Sequence, residues 1–339
     1  MRLVTRADFD GLVCGAIITL MEEIDSYLFV EPKFMQDGMV EIRQGDIIAN
    51  LPYLPNCSLW FDHHITNAPT WLSHIGVSSS KSRVLSGETR NPQPETRNPT
   101  VVAGKGGFRL APSAARVVYE YYTSLEGGRQ EATGNRIKEG LKILKSERMR
   151  FLLEETDKID AGLLTPEDVL HPEGYVLISM TIDGKWAEDE PYWLRLIDLL
   201  RDASSEEVLR EPEVKRRCQQ ILDDQEELRR ILLKRTTLKG NVIFTDLRGI
   251  KNMPEGNRFL LYTLFPTGNI SLKVAEDSQR ANTTAISVGY NIFNKTSKVN
   301  VGALMEEYGG GGHSVVGSCR LPNHEAERAI AEILEAIKE

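Results

Sequence analysis

The chain has 339 residues, of which 41% are hydrophobic and 27% charged, and its formal net charge is −8. This length favours two domains, and the composition is that of an ordinary globular protein. The acidic balance excludes broad, non-specific binding to long nucleic acid, which needs a basic surface, but it is compatible with a small phosphate-binding pocket.

Short apolar runs alternate with helical segments at the start of the chain, which predicts a parallel α/β sheet. The predicted elements are a strand over 2–5, a helix over 11–24, and strands over 26–30, 46–51 and 58–61. Ligands of such sheets bind beyond the carboxyl ends of the strands. Side chains that follow those ends are therefore expected to converge: Arg6, Asp8, Asp10, Asn50, Asp62, His63 and His64.

Residues 77–107 interrupt this pattern. The segment is polar, rich in proline and glycine, and contains the pentapeptide ETRNP twice. Because it has no apolar periodicity, we predict a flexible surface insertion that carries no chemistry.

Helical segments dominate the region that follows. They are predicted over 111–122, 135–155 and 192–200, and a charged helix over 214–233 suits a linker between domains.

Strand-like runs return after residue 239. They lie at 241–247, 259–265, 269–275 and 284–293, and a final helix is predicted over 325–338. The fold class is therefore α/β, with an N-terminal parallel-sheet domain and a smaller α/β C-terminal domain. The predicted bounds are 1–200 for the first domain, 201–238 for a helical linker and 239–339 for the second domain.

The N-terminus and the cysteines predict a cytoplasmic protein that does not bind membranes. The opening MRLVTRADFDG lacks the apolar core of a signal peptide, and no run of the chain has the length of a membrane span. The four cysteines are scattered without a CxxC pair. Reduced thiols are therefore expected, rather than a disulfide scaffold or a zinc ribbon.

Acidic and histidine side chains cluster at four places before the linker. Oxygen-rich sites with one or two imidazoles suit Mn²⁺ or Mg²⁺ better than structural zinc. One or two such ions activate water and brace the oxygens of a phosphoryl group. The clusters are Asp8 with Asp10, Asp46 with Asn50, Asp62 to His64, and Asp157 with Asp160.

The adjacent histidines allow a division of roles. His63 can ligate a metal while His64 donates a hydrogen bond to a phosphate, and Asp62 can fix the imidazole tautomers. Each cluster also has a purely structural interpretation. The first could be a helix N-terminal turn, the histidines could be solvated or buried in the core, and the last aspartates could end a helix.

Four motifs together resemble the DHH phosphoesterase superfamily. They are DFDG at 8–11, FDHHIT at 61–66, an aspartate near 157, and GGGGH at 309–313. The family includes RecJ-type exonucleases, oligoribonucleases, cyclic-dinucleotide phosphodiesterases, and manganese-dependent pyrophosphatases and exopolyphosphatases. The resemblance implies a DHH catalytic domain with one or two Mn²⁺ or Mg²⁺ ions, and a DHH-associated C-terminal domain that grips the substrate.

The resemblance also implies roles for individual residues. Asp62 and His64 are expected at the reacting phosphate, with Arg6, which stands where the family has a metal-binding histidine. Arginine has no lone pair for a metal, so it would hold phosphate by paired hydrogen bonds instead. Asn50 stands where the family has an aspartate, with Asp46 as its alternative. The implied metal ligands are Asp8, Asp10, Asn50 or Asp46, His63, and Asp157 with Asp160 second.

The GGGGH motif implies contacts to substrate from the second domain. Glycine amides can approach a phosphate closely, and the histidine can donate to it. A flexible loop is the alternative interpretation. The implied contacts are Gly310, Gly311, Gly312 and His313, with Arg280 and Asn282 as further candidates.

Two functions follow as hypotheses. The first is a metal-dependent phosphoesterase that hydrolyses a small phosphate ester, a short oligonucleotide or a polyphosphate in the cleft between domains. The alternative is a non-catalytic nucleotide- or phosphate-binding protein on the same scaffold, which Arg6 and Asn50 favour. The partner is then a small phosphorylated molecule rather than a long duplex. The sequence leaves a homodimer and the identity of the substrate open.

Overall fold

A computed structural model describes residues 1–74, 100–102, 105–124, 135–277 and 279–338. Most of the predicted insertion at 77–107 lies outside the described residues. The prediction is wrong at its C-terminal end, where residues 100–102 and 106–108 form two strands. The second of these strands pairs with the strand that ends in Asp62, so it belongs to the main sheet.

The strands form two six-stranded sheets. The first sheet contains β1 (Arg2–Thr5), β2 (Ser26–Phe29), β3 (Ile47–Ala49), β4 (Leu59–Asp62), β5 (Thr100–Val102) and β6 (Gly106–Phe108). The second contains β7 (Thr236–Lys239), β8 (Val242–Asp246), β9 (Ile270–Glu276), β10 (Thr283–Tyr290), β11 (Gly311–His313) and β12 (Val316–Pro322).

Helices surround both sheets. Those of the described chain are α1 (Phe9–Met21), α2 (Pro32–Gln36), α3 (Ala68–His74), α4 (Ala114–Ser124), α5 (Asn135–Leu144), α6 (Glu147–Asp160), α7 (Pro166–Leu170), α8 (Gly174–Met180), α9 (Glu190–Asp202), α10 (Ser205–Arg210), α11 (Pro212–Arg235), α12 (Leu260–Leu264), α13 (Val301–Glu306) and α14 (Asn323–Ala336). None of these described helices combines the length and the apolar character needed to span a membrane.

The chain divides into two compact units. Unit 1 comprises Met1–Leu163 and Glu173–Lys215, and unit 2 comprises Leu164–Pro172 and Arg216–Glu339. The division falls inside α11, the charged helix that the sequence predicts as a linker. The short segment 164–172 joins unit 2, although the sequence places it in the first domain.

Unit 1 has the predicted parallel sheet, which confirms the fold class. Its strand order is β2-β1-β3-β4-β6-β5, and the pairs from β2 to β6 are parallel, while β5 runs antiparallel to β6. All residues of β3 and β4 are buried, as is typical of parallel strands that are covered on both faces.

Helix α1 is buried on almost every side. Ten consecutive residues, Phe9 to Ile18, are all buried, and the helix contacts α4, α5, α6 and α9. Asp8 caps its N-terminus by accepting a hydrogen bond from the amide of Gly11. A helix that is apolar all round belongs in a protein interior. The turn from β1 into α1 is therefore held by a strand of the sheet on one side and by a buried helix on the other.

The strand order locates the functional edge of unit 1. From β1 the chain continues to β2 on one side, whereas β3 lies on the other side of β1. Loops therefore diverge at the carboxyl ends of β1 and β3, which opens a crevice of the kind where α/β sheets bind ligands.

Unit 2 has a mixed sheet in the order β11-β12-β10-β9-β8-β7, in which only β8 and β9 of the described strands pair in parallel. Helix α14 contributes Ala326, Ala329, Ile330 and Ile333 to the core on one face. A second core, which includes residues of α7, α11 and α12, covers the strands around Ile243.

Two local predictions are wrong. The run 259–265 is helix α12 rather than a strand. Short apolar runs fit either element, and here Asn257 favours the helix because its carbonyl and its side chain accept the amides of Leu260 and Phe259. The helix predicted over 135–155 breaks at Ser146, whose side chain caps α6 through the amide of Met149.

Candidate active site

The predicted side chains of unit 1 gather at the carboxyl edge of the sheet. Arg6, Asp8 and Asp10 follow β1, Asn50 follows β3, and Asp62 ends β4. Helix α6 brings its C-terminal residue Asp160 to the same place. Acidic and histidine side chains whose ligand atoms lie within 4.8 Å of one another form two groups among the described residues: Asp10, His63 and Asp160, and Asp62, His63 and His64.

His63 has one ring nitrogen anchored and the other available. Its Nδ1 lies 2.9 Å from the carbonyl oxygen of Ala111. A carbonyl only accepts, so Nδ1 donates to it, and the lone pair of the corresponding tautomer is on Nε2. This Nε2 is buried without a hydrogen-bond partner among the described residues. An oriented, buried nitrogen of this kind fits a metal ligand.

Two carboxylates face that nitrogen. Oδ2 of Asp160 lies 3.3 Å from Nε2 of His63, and Oδ2 of Asp10 lies 4.0 Å from it. Asp10 is held by the first turn of α4, where the amides of Ala114 and Ala115 donate to its two oxygens at 2.9 and 2.8 Å. One nitrogen and two carboxylates make a donor set suited to Mn²⁺.

The electrostatics of this group favour a cation. Burial, followed by the charges of Asp160 and Asp8, raises the pKa of Asp10 well above its usual range. Burial also raises the pKa of Asp160, against the opposing effect of His63. Both carboxylates are thus costly to ionise where they stand. A divalent ion between them would reverse that balance, so the residues fit a metal.

Asp62 supports both histidines from a fully buried position. Its Oδ1 accepts hydrogen bonds from the amides of His63 and His64 and from Nδ1 of His64 at 2.8 Å, and its Oδ2 accepts from Asn67. Both oxygens of Asp62 accept hydrogen bonds, so its carboxylate orients the two histidines. The hydrogen bond that His64 donates to Asp62 raises the pKa of His64, whose side chain is 52% exposed.

Arg6 and Asn50, the two departures from the family motif, both contact Asp8. Asn50 donates from Nδ2 to Oδ1 of Asp8 at 3.1 Å, and a guanidinium nitrogen of Arg6 lies 3.2 Å from Oδ2. Arg6 also lies 3.3 Å from Glu31. Asp8 is therefore neutralised by an arginine at the place where the family implies a first metal ion.

Asp46 lies away from the site. It precedes β3, at the amino end of a strand whose carboxyl end leads into Asn50. Its carboxylate is bound by the guanidinium of Arg2 and the amide of Arg43. Asp46 therefore does not replace the carboxylate that Asn50 lacks, and the prediction that names it as an alternative ligand is corrected.

Asp157 also points away from His63. Its oxygens accept hydrogen bonds from the hydroxyl of Ser113 at 2.6 Å and from two nitrogens of Arg116 at 2.9 and 2.6 Å. The sequence ranks Asp157 before Asp160, but the geometry favours Asp160 as the ligand. No sequence motif predicts the contacts that Ala111, Arg116 and Glu31 make at the site. Ser113 could have been identified, because it is a polar residue at a predicted helix start.

The GGGGH glycines serve the packing of unit 2. The amides of Gly309 and Gly310 donate to the carbonyls of Glu306 and Met305, which is the arrangement that ends α13. A methyl group at Gly310 would lie 2.1 Å from the carbonyl oxygen of Ser318. The Gly310 amide is therefore already used, which corrects its predicted contact to phosphate.

The rest of the motif lies on an open polar row. Gly311, Ser318, Ser287 and Lys273 stand opposite one another across β11, β12, β10 and β9. Directly opposed residues of antiparallel strands share a face, so Ser318 is next to Gly311, and Ser287 and Lys273 lie two and three strands away on the same face. Gly312 and His313 continue β11 beyond this row, and His313 is exposed.

Arg280 lies at the other end of that sheet. His313 pairs with Val316 of β12, and Val316 pairs with Gly289 of β10. Arg280 comes shortly before Thr283, which starts β10 six positions from Gly289. That separation is about 20 Å. Arg280 and its neighbour Asn282 therefore lie at the opposite end of this sheet from His313, and their contact to substrate stays a prediction.

Comparison with solved structures finds an extended similarity. The chain is 31% identical to the pGpG-specific phosphodiesterase PggH from Vibrio cholerae, over 99% of this chain and 98% of that one, with a TM-score of 0.76. It is also similar to RecJ from Thermus thermophilus in complex with Mn²⁺, at 14% identity over 98% of this chain and 52% of that one, with a TM-score of 0.48. CDC45 from Entamoeba histolytica is 9% identical over 99% and 95% of the two chains, with a TM-score of 0.41. No protein-family model matches the chain, and no curated protein matches it.

Proposed function

The chain belongs to the DHH phosphoesterase superfamily, and on that premise we propose that it is a metal-dependent phosphodiesterase that cleaves short linear oligonucleotides, with dinucleotides as its preferred substrates. The observation that carries this proposal is the convergence of Asp10 and Asp160 on the buried Nε2 of His63, which has no hydrogen-bond partner among the described residues. The likeness to PggH, a pGpG-specific phosphodiesterase, over nearly the whole of both chains supports the substrate class.

The proposed centre holds one divalent ion, with Mn²⁺ as the candidate. Asp10, His63 and Asp160 would bind it, since Asp62 is occupied by the histidines and Asp8 by Arg6 and Asn50. When bound, such an ion supplies an activated water and neutralises charge on the phosphate.

Arg6 would supply the second positive charge. Its side chain is 41% exposed, so the end of the guanidinium is open to a ligand, whereas its Nε is buried without a partner within the described part of the chain. A guanidinium placed 3.2 Å from Asp8 stands beside the ligand group and can bind two phosphate oxygens at once. The fixed charge of arginine thus takes the place that a second ion has in a two-metal site.

His64 would donate a hydrogen bond to the phosphoryl group. Asp62 holds its Nδ1 at 2.8 Å, which directs Nε2 away from the sheet. From unit 2, the backbone of Gly311 and Gly312 and the ring of His313 remain the proposed contacts to substrate. The row of Ser318, Ser287 and Lys273 on the same face as Gly311 supports an anionic ligand there.

An assay of a 5′-phosphorylated dinucleotide with Mn²⁺ tests this function. We expect mononucleotides as products, and loss of turnover by more than about a hundredfold in His63→Ala. His324→Ala is the matched control, because His324 is exposed on α14, with only Glu325 as its ion-pair partner among the described residues. No turnover of this substrate, with turnover of polyphosphate or a cyclic dinucleotide instead, would overturn the proposed substrate class.

The second candidate is a binding protein without turnover. It is favoured by Arg6 and Asn50, which occupy Asp8 and remove one metal site. In that case the dinucleotide binds, no product forms with Mn²⁺ or Mg²⁺, and His63→Ala binds the dinucleotide as well as the wild type.

A further inference from the structure

One tryptophan differs from the others in its exposure. All four tryptophans of the chain lie in the described ranges, and Trp60, Trp71 and Trp193 are at most 3% exposed, whereas Trp186 is 59% exposed. A single exposed apolar side chain is ordinary on a protein surface. Its meaning therefore depends on where the ring stands.

The loop that carries Trp186 packs against the turn that carries Arg6. A methyl group added at Gly184 would lie 2.9 Å from the carbonyl oxygen of Ala7 and 3.2 Å from Oε1 of Glu31. Ala7 directly follows Arg6, and Glu31 lies 3.3 Å from the Arg6 guanidinium. Trp186 comes two residues after Gly184, so their Cα atoms are at most about 7 Å apart. The backbone at Trp186 thus lies close to the turn that carries Arg6, and the ring that it bears is exposed.

Contacts on both sides hold this loop in place. The hydroxyl of Thr181 lies 2.6 Å from that of Tyr192, in a buried position that ties the loop's start to α9. Asp183 accepts a hydrogen bond from the amide of Lys185, and the carbonyl of Trp186 accepts one from the amide of Asp189. A backbone fixed at these points presents the indole ring with little entropy left to lose on binding.

The surroundings favour a small planar ligand over a protein partner. Lys185 is 80% exposed beside Trp186, and Ala187, Glu188 and Asp189 follow. A protein interface needs a contiguous apolar patch, whereas a single ring offers one planar face. Lys185 supplies a cation on one side of it, and Glu188 and Asp189 lie on the other side, so a molecule with an aromatic face and a negative charge would be bound from the Lys185 side. Nucleotides have both.

We propose that Trp186 stacks on a nucleobase of the substrate while Arg6 holds the adjacent phosphate. The inference rests on the proposed function and deepens it, because it makes the base, and not only the phosphate, part of what is recognised. Every nucleobase has a stacking face, so Trp186 would favour oligonucleotides over base-free phosphate esters without selecting a sequence.

Kinetics on two substrates test the inference. For a 5′-phosphorylated dinucleotide we expect Trp186→Ala to raise KM about tenfold, which is the scale of one base–aromatic stack. For the corresponding abasic dinucleotide KM should not change. Trp186→Phe should raise the KM for the dinucleotide much less than Trp186→Ala does. Gly184→Ala, which displaces the loop, should raise it as much as Trp186→Ala. Met39→Ala is the control, since Met39 is 70% exposed on the segment that leads to the amino end of β3.

Tryptophan fluorescence gives a second readout that needs no turnover. Iodide should quench mainly Trp186, and a phosphorothioate-linked dinucleotide should protect it, while Trp186→Phe should lose both effects. Equal KM changes on both substrates, or quenching that the dinucleotide leaves unchanged, would overturn the stacking role. A wild-type enzyme that cleaves neither substrate would instead refute the proposed function, and protection from iodide would still decide the stacking.

Discussion

The imidazole of His63 and the carboxylate of Asp160 meet 3.3 Å apart, although they are 97 positions apart in the chain. Strand β4 delivers one and the last turn of α6 delivers the other. Asp10 closes the group from the start of α1. The proposed metal centre depends on that meeting, because it places two carboxylates beside the Nε2 of His63, a nitrogen that no described group hydrogen-bonds.

Asp160 and Asp157 should behave differently although both lie in the last turn of α6. Asp160→Asn removes a proposed ligand, so we expect the affinity for Mn²⁺ to fall at least about tenfold. Asp157→Asn should leave that affinity nearly unchanged and lower the free energy of unfolding by about 1 kcal/mol, because Arg116 and Ser113 lose a charged acceptor. Calorimetric Mn²⁺ titration and urea unfolding measure the two effects. The reverse pattern would mean that Asp157 is the ligand.

Arg6→Ala should reduce catalysis without reducing metal binding. Without the guanidinium, the phosphate loses a fixed charge, and we expect kcat/KM to fall roughly a hundredfold. The affinity for Mn²⁺ should stay within about twofold, since Arg6 binds Asp8 rather than the ligand group. Arg6→Lys should recover only part of the activity, because lysine cannot offer paired hydrogen bonds.

Arg195→Ala is the control for that experiment, because Arg195 is 55% exposed on α9 and pairs with Glu211. It should have wild-type activity. An Arg6→Ala enzyme as active as the wild type would contradict the proposal that Arg6 binds the phosphate.

The sequence predicts the sheet of unit 1 well because strand and motif coincide there. The strand at 2–5 is found as predicted, and the motifs at 8–11 and 62–64 lie at strand ends. The sequence does not reveal which face of α6 turns inward. Asp157 and Asp160 are three residues apart, and the contacts from Ser113 and Arg116 show that Asp157 is already occupied.

The same limit explains the errors elsewhere. Asp46 and Asn50 are close in sequence, but a strand between them sends them to opposite edges of the sheet. In GGGGH, glycine content fits both a phosphate loop and a tightly packed turn. The capping bonds to Met305 and Glu306 show that the first two glycines of the motif end a helix.

Gly312 and Gly311 form a matched pair for a stability test. A methyl group at Gly312 would lie 2.2 Å from the carbonyl oxygen of Val316, and its φ is 156°, whereas no described atom lies within 4 Å of one at Gly311. We expect Gly312→Ala to destabilise the protein by more than about 2 kcal/mol and Gly311→Ala by less than about 0.5 kcal/mol. Thermal unfolding measures both, and equal effects would contradict this packing of β11 on β12.

The cysteine thiols should react slowly at neutral pH. Burial raises the pKa of Cys57 to about 12 and that of Cys218 to about 11, and it also raises the pKa of Cys14 and Cys319. A raised pKa leaves less thiolate at a given pH, so alkylation at pH 8 should be at least about tenfold slower than in urea and should accelerate with each unit of pH. A thiol that reacts at the unfolded rate would contradict the burial of that cysteine.

The most direct test is a calorimetric Mn²⁺ titration of the wild type and of His63→Ala. We predict one site per chain in the wild type and its loss in the variant, because Asp10, His63 and Asp160 form a single ligand group while Arg6 occupies Asp8. Two sites in the wild type, or an unchanged isotherm in His63→Ala, would contradict the single-metal centre.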